Sequence, residues 1–283
     1  MLTKLIIEDA VKRALLEDAP WGDATSAALI PANAVAAAKL VAREPGVFSG
    51  GEVFAAAFQL LDSAVAVQLL VAEGESFTAG QVLATVSGPA RAVLTGERVG
   101  LNFVQRMAGI STHTAKYVSA IAGTGAKIVD TRKTTPGLRP FEKHAVACGG
   151  GHNHRYSLSD ALMAKDNHLA ILTRGGRDLA TELRRVRAEL GHTTHLEVEV
   201  DRLDQIESVL AGGVDTIMLD NFSLEDLSAG VAQIAGRATI EASGGVNLNT
   251  VRAIAETGVD VISVGALTHQ IHSLDLGLDI EID

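Results

Sequence analysis

HLEVEVDRLDQIESVLAGGVDTIMLDNFSLEDLSAGVAQIAGRATIEASGGVNLNTVRAIAETGVDVISVGAL, residues 195–267, is one pattern written over and over. Short apolar runs (HLEVEVD, TIMLDN, TIEASGG, VISVGAL) begin at His195, Thr216, Thr239 and Val261, which are 21, 23 and 22 residues apart, and each run ends in polar or glycine residues. The intervening RLDQIESVLAGG, SLEDLSAGVAQIAG and LNTVRAIAETG repeat apolar residues at helical spacing. That period is close to the shortest in which a strand can cross through a helix to a parallel neighbour, so it predicts successive βα units on a parallel sheet. Working towards the N-terminus, RDLATELRRVRAEL (177–190) adds another helix, and ALMAKDN (161–167) and KIVDTRK (127–133) add two more strands. Six strands are fewer than a closed eight-stranded barrel has, so the expected architecture is α/β, an incomplete α/β barrel. No G-x-G-x-x-G opens a helix after a strand, which argues against a doubly wound dinucleotide fold.

Upstream of residue 123 the texture differs. Residues 5–17 place Ile7, Ala10, Val11 and Ala14 on one helical face, and Asp18, Pro20 and Gly22 end that helix. AAKLVARE and AVAVQLLVA are strand-like around a helix at GEVFAAAFQLL, and GESFTAGQVLATVSGPA suggests a strand pair with glycine at both turns. From Arg91 to Ile121 a long helix carries Val99, Phe103, Met107 and Ile110 on one face, with Arg98 and Arg106 projecting as solvated or salt-bridged residues. These features predict a separate N-terminal α+β sandwich domain, residues 1–112, ahead of a barrel over 113–269.

Composition narrows the function classes. The 283 residues are 47% hydrophobic but only 4% aromatic, so the core is built from Ala, Val, Leu and Ile, as suits helices on a buried parallel sheet. No apolar run is long enough for a membrane span, and the acidic amphipathic N-terminus is unlike a signal peptide. The single cysteine, Cys148, rules out an intrachain disulfide framework. A cytoplasmic protein is expected. With a formal net charge of -10, nucleic acid and anionic membranes are excluded as partners for the chain as a whole.

Against that acidic background, residues 132–168 gather Arg132, Lys133, Arg139, Lys143, Arg155 and Lys165 with four histidines, and only Glu142, Asp160 and Asp166 oppose them. A cationic island in an acidic protein points to a small polyanion. In an α/β barrel the C-terminal strand ends form the mouth, so Asp130, Arg132, Lys133, Lys165, Glu199, Asp220 and Ser243 are candidate site residues. Arginine matches planar carboxylates by paired hydrogen bonds, whereas lysine is a point charge suited to phosphate. The presence of both suggests a ligand with both groups, with the glycine-rich GGGHNHR delivering His154 and Arg155 to it.

SGG (243–245) and SVGALTH (263–269) follow the last two strands, where backbone N–H groups can cradle a phosphate or simply form tight turns. Glu197, Glu199 and Asp201 alternate along one strand and share a face. With Asp220 they either hold Mg²⁺ and stabilise developing positive charge, or form an exposed edge salt-bridged to arginines. Cys148, His152, His154 and His168 offer an alternative metal set, but no C-x-x-C or H-E-x-x-H accompanies them and the crowded cations oppose it.

Together DTRKTTPGLR (130–139), EKHAVACGGGHNHR (142–155), AKDNH (164–168), EVEVD (197–201), MLDNF (218–222), SGG (243–245) and VGALTH (264–269), with EDAPWGDATS (17–26) and REPGVFSG (43–50), closely resemble the quinolinate phosphoribosyltransferase family. The resemblance implies transfer of phosphoribose from phosphoribosyl pyrophosphate to quinolinate with Mg²⁺, releasing pyrophosphate and CO₂ and giving nicotinate mononucleotide for NAD biosynthesis. It implies that Arg132, His154 and Arg155 hold the carboxylates of quinolinate, and that Lys133 and Lys165 face pyrophosphate, beside Thr131. Glu199 and Asp220 would hold Mg²⁺ or the ribose hydroxyls. Ser243, Gly244, Gly245, Gly265 and His269 would cradle the 5-phosphate. It further implies a homodimer or a hexamer in which Arg98 reaches a neighbour's site, and a C-terminal tail, residues 270–283, returning to the first domain. His144 and Cys148 are expected to be structural.

Overall fold

The computed structural model describes residues 2–282. The chain forms two compact units. The first comprises Met1–Ala115, Thr134–Gly150 and Leu267–Asp283, and the second Lys116–Lys133 and Gly151–Ala266. The segment containing helix 139–148, placed by its sequence position in the barrel, thus packs with the first unit.

In chain order the first part supplies α1 (Lys4–Asp18), α2 (Ala24–Leu29), β1 (Val35–Ala42), β2 (Gly46–Val47), α3 (Gly51–Gln59), β3 (Ala66–Leu69), β4 (Ser76–Phe77), β5 (Val82–Pro89) and α4 (Ala90–Ala120). Thr3 caps α1 and Asp23 caps α2, each accepting from a backbone N–H three residues on. The buried stripe of α1 is Ile7, Ala10, Val11 and Leu15, with Leu15 in the place expected for Ala14. The 76–89 stretch is not a hairpin. β4 pairs with β2, whereas β5 lies between β1 and β3 in a sheet of order β12-β1-β5-β3. Its last member, β12 (Leu276–Ile282), runs antiparallel to β1 in register from Ala36↔Ile282 to Ala42↔Leu276. Phe48, Phe54, Phe58, Leu40, Leu83, Met107 and Ile110 are fully buried in this unit, with the Phe54 and Phe58 rings edge to face at 5.0 Å.

The later elements are β6 (Lys127–Val129), α5 (Arg139–Cys148), β7 (Leu162–Ala164), α6 (Asp166–Leu172), α7 (Leu179–Glu189), β8 (Leu196–Val200), a 3₁₀ turn at Leu203–Gln205, α8 (Ile206–Leu210), β9 (Thr216–Asp220), α9 (Leu224–Ile234), β10 (Thr239–Ser243), α10 (Val251–Glu256), β11 (Val261–Ser263) and α11 (Ala266–His269). All six expected strands of the second unit form one sheet of order β6-β11-β10-β9-β8-β7, and every pairing is parallel. The first strand has paired with the last, so the sheet is wound as an incomplete barrel whose edge strands β6 and β7 are not hydrogen-bonded to each other. A partial strand lies on the open β6 edge: His152 bridges to Val129 in parallel, donating from N to Ile128 at 2.8 Å and accepting from Asp130 at 3.1 Å. Alternation puts Leu196, Val198, Ile217, Leu219 and Ile262 into fully buried positions of these short strands. Among the described residues no helix is long and apolar enough to cross a membrane.

Candidate active site

The strand ends of the second unit open on a cavity of about 620 Å³. Its lining includes Thr131, Arg132 and Lys133 after β6, His154 and Arg155 from the glycine-rich segment, and Lys165 after β7. Glu199 of β8, Asp220 of β9, and Ser243, Gly244 and Gly245 at the end of β10 are the other predicted residues found there. Eleven residues far apart in sequence therefore share one volume of the size that small-molecule sites occupy. Gly265, two residues past β11, is not part of the lining; Arg98, exposed on α4, and His269, exposed at the end of α11, belong to the first unit.

The motif segment is held by one buried acid. Asp130, fully buried at the end of β6, accepts the His154 backbone N–H at 2.8 Å, which fixes where His154 and Arg155 start. Arg155 also donates to the Ala161 carbonyl at 3.0 Å. Burial pushes the Arg155 guanidinium down, and the nearby charge of Arg132 adds to that. Two cations held close in partial burial favour an anion between them.

Lys165 caps α6 and its ammonium contacts Glu199 across the β7 and β8 ends. Asp220 accepts from Asn221 Nδ2 at 2.7 Å. Asn221 is one of only two non-glycine residues with positive φ among the described residues, at 58°. The SGG turn explains its own composition. Gly244 has φ 93°, and a Cβ there would stand 2.2 Å from Asn221 Oδ1 and 2.9 Å from the Asn221 nitrogen. Gly245 also has positive φ, with open space around it. Two carboxylates on neighbouring strand ends offer the hard oxygens that Mg²⁺ takes alongside water and phosphate, so Glu199 and Asp220 fit that ion. Lys165 contacts Oε2 of Glu199, which leaves the Oε1 oxygen for an ion.

Beneath the mouth His154 and Glu197, both named from the sequence, meet Glu241, which was not named from the sequence and which also lines the cavity. His154 Nε2 is 3.0 Å from Glu197 and 3.5 Å from Glu241, and both carboxylates are 3% exposed. Each keeps one oxygen, Oε1, without a hydrogen-bond partner. Burial pushes the His154 imidazolium down, but the hydrogen bonds and charges of Glu197 and Glu241 more than offset it and lift its pKa to about 9. Opposing them, the Arg155 N–H points at Nδ1 at 2.8 Å, which suits a neutral ring. Charge-assisted bonds are roughly twice as strong as neutral ones, so the carboxylates prevail. Burial raises the Glu197 carboxyl; the His154 hydrogen bond pulls it back and Glu241 pushes it up again. Glu197 was visible in the alternation of HLEVEVD. Glu241 shows the same signal in TIEAS, a lone carboxylate between Ile240 and Ala242. Asp201, expected on the same face as Glu197 and Glu199, lies past the strand end, exposed beside Arg202 at 3.6 Å. Among the described residues the alternative metal set does not assemble as a group: Cys148 clusters with His144 and Glu73, and His154 with Glu197 and Glu241.

Comparison with known proteins gives this arrangement a family. The profile of the quinolinate phosphoribosyl transferase C-terminal domain matches residues 110–279, and that of the N-terminal domain matches residues 23–108. The chain belongs to the quinolinate phosphoribosyltransferase family. Among its relatives in this family are the nicotinate-nucleotide pyrophosphorylase [carboxylating] of Mycobacterium leprae, 43% identical over 96% of this chain and 96% of that protein, and a probable one of Bacillus subtilis, 38% identical over 99% and 96%. The NadC crystal structure from Streptococcus pyogenes superposes with a TM-score of 0.94 at 40% identity, covering 100% of this chain and 98% of that one. The quinolinate phosphoribosyltransferase fold therefore spans both units, with the N-terminal sandwich and the barrel as expected.

Proposed function

We propose that the protein is a decarboxylating quinolinate phosphoribosyltransferase of NAD biosynthesis, and the observation that carries this is the mixed cavity. One volume joins two arginines and a histidine, two lysines, two strand-end carboxylates and a glycine turn. In this reading Arg132, His154 and Arg155 bind the two carboxylates of quinolinate, and Lys133 and Lys165, beside Thr131, bind pyrophosphate. Ser243, Gly244 and Gly245 take the 5-phosphate through backbone N–H groups, with Gly265 and His269 as further members.

The ring nitrogen attacks the ribosyl carbon as the bond to pyrophosphate breaks. Positive charge develops on the sugar, and Glu199 and Asp220 are placed to stabilise it. Lys133 and Lys165 offset the charge on the departing pyrophosphate. The ring carboxylate next to the new bond leaves as CO₂, its electron pair drawn towards the cationic ring nitrogen, and the carbon then takes a proton. No nucleophilic side chain is required, so rate enhancement comes from positioning and electrostatics. Mg²⁺ held at Glu199 and Asp220 supplies charge neutralisation for the pyrophosphate oxygens when bound. The proposal extends to a cytoplasmic homodimer or hexamer in which Arg98 of a second copy completes the carboxylate site.

Incubating the protein with Mg²⁺, quinolinate and phosphoribosyl pyrophosphate should yield nicotinate mononucleotide and CO₂ in equal amounts. Product with nicotinate but none with quinolinate would overturn the proposal. Arg155→Ala should abolish quinolinate binding in a calorimetric titration while leaving the melting temperature nearly unchanged.

A further inference from the structure

Away from the cavity, three chemically competent side chains converge in the first unit. His144 and Cys148 are four residues apart on α5, so they stand one above the other on the same helical face. The turn before β4 brings Glu73 to both. His144 Nε2 lies 3.0 Å from Glu73 Oε2, and Cys148 Sγ lies 3.3 Å from that oxygen and 3.4 Å from Nε2. The three donor atoms thus form a nearly equilateral triangle. With zinc bonds of about 2.0 Å to nitrogen or oxygen and about 2.3 Å to sulfur, the donors of a tetrahedral site are about 3.3–3.6 Å apart. The triangle matches one face of such a tetrahedron to within a few tenths of an ångström.

The carboxylate is already oriented for this. Glu73 Oε1 accepts from Gly50 at 2.9 Å and from Gly51 at 2.7 Å, and Oε2, which shares the Gly50 N–H at 3.1 Å, is turned towards His144 and Cys148. Gly74, with φ 81°, lets the turn approach the helix closely, since a Cβ there would stand 3.1 Å from the Cys148 carbonyl oxygen. Cys148 is the last residue of α5, where the helix dipole favours a cation. A thiolate and a carboxylate together neutralise a divalent ion, and thiolate softness selects against Mg²⁺ and for zinc-class metals. A hydrogen-bonded ion pair accounts for the His144 to Glu73 side of the triangle. The Cys148 thiol donating to the same oxygen accounts for a second side, and the Sγ to Nε2 distance of 3.4 Å closes the triangle.

We propose that Glu73, His144 and Cys148 are a three-ligand site for a zinc-class divalent cation, with the fourth position open to water. Such an ion pins the 70–75 turn to the end of α5 and is separate from the Mg²⁺ expected at Glu199 and Asp220. A metal takes the thiol as thiolate and the imidazole as a bare ring nitrogen, so binding releases acid.

The test is a cobalt titration of the full-length, chelator-treated protein, followed by absorption. One equivalent should produce a thiolate-to-cobalt charge-transfer band and tetrahedral visible bands, both removed by added zinc. Cys148→Ser should abolish the charge-transfer band, and Glu73→Gln should weaken binding at least about tenfold. Zinc should raise the melting temperature of the parent protein but not that of Cys148→Ser, and both variants are near in shape to the native side chains. No thiolate band in the parent protein would overturn the site, as would a band of undiminished affinity in His144→Ala.

Discussion

Two carboxylates hidden beneath the mouth set the charge of His154. Its pKa in the folded protein, about 9, lies above the ordinary histidine value of 6.5. The stabilisation from that proton is therefore fully present below about pH 6.5 and is lost as pH rises through about 9. Melting temperature should fall over that window, and Glu241→Gln should flatten the fall by removing one source of the shift. In turnover, the alkaline limb of kcat/KM for quinolinate should move to lower pH in Glu241→Gln; an unmoved limb would show that His154 does not carry the substrate charge. At the SGG turn, Gly244→Ala forces a Cβ into Asn221 at a left-handed φ, so a loss of about 1–3 kcal/mol in urea unfolding is expected. The KM for phosphoribosyl pyrophosphate should rise with it. Arg132, Lys133, Glu199 and Asp220 were legible because each closes a strand-like run, where barrel geometry makes polar residues face the mouth. Glu241 carried the same alternation as Glu197 but stood as a lone acid in its strand, and its pairing with His154 joins positions far apart in the sequence that only the folded chain brings together.

Among the elements, α5 departs most from its sequence position. It lies between two barrel strands in the chain, yet it is held in the first unit by a buried acid. Glu142, 1% exposed, accepts from Arg106 of α4 at 2.6 Å and from the Thr135 N–H at 3.1 Å, and Phe141 packs on Phe103 at 5.4 Å. Arg106→Ala leaves that carboxylate buried with only the amide, so a loss of about 3 kcal/mol is expected in denaturant unfolding. Glu142→Gln, which removes the charge along with the pairing, should lose clearly less. Arg106 was expected as a surface or salt-bridged residue, and its pairing was invisible because the partner is 36 positions away. The 76–89 stretch failed for the same physical reason. Local glycine spacing fits a hairpin, but strand partners are chosen by which apolar faces meet, and β4 and β5 meet different sheets.

For the molecule as a whole, the βα repeat of residues 195–267 was enough to deduce the parallel sheet, because a regular period admits few topologies. The return of β12 to β1 had no local signal beyond the family resemblance. It covers one whole side of β1, which would otherwise present a row of unpaired backbone groups. Deleting residues 276–283 should therefore lower the melting temperature of the first unit and cause concentration-dependent association, measurable by light scattering. A monodisperse truncated protein of unchanged stability would show that β12 is dispensable.

The missing ladder between β6 and β7 has a mechanical consequence. A closed hoop of strands changes diameter only by stretching every hydrogen bond around it, whereas a split hoop behaves like a spring clip, stiff in its wall and compliant at its gap. Thr131, Arg132 and Lys133 follow one lip of that gap, Lys165 follows the other, and His154 and Arg155 ride the segment strung along its edge. The cationic groups of the cavity are mounted where the wall can give, while Glu199, Asp220 and Ser243 stand on the continuous run of β8, β9 and β10, with Glu199 next to the β7 lip and in contact with Lys165.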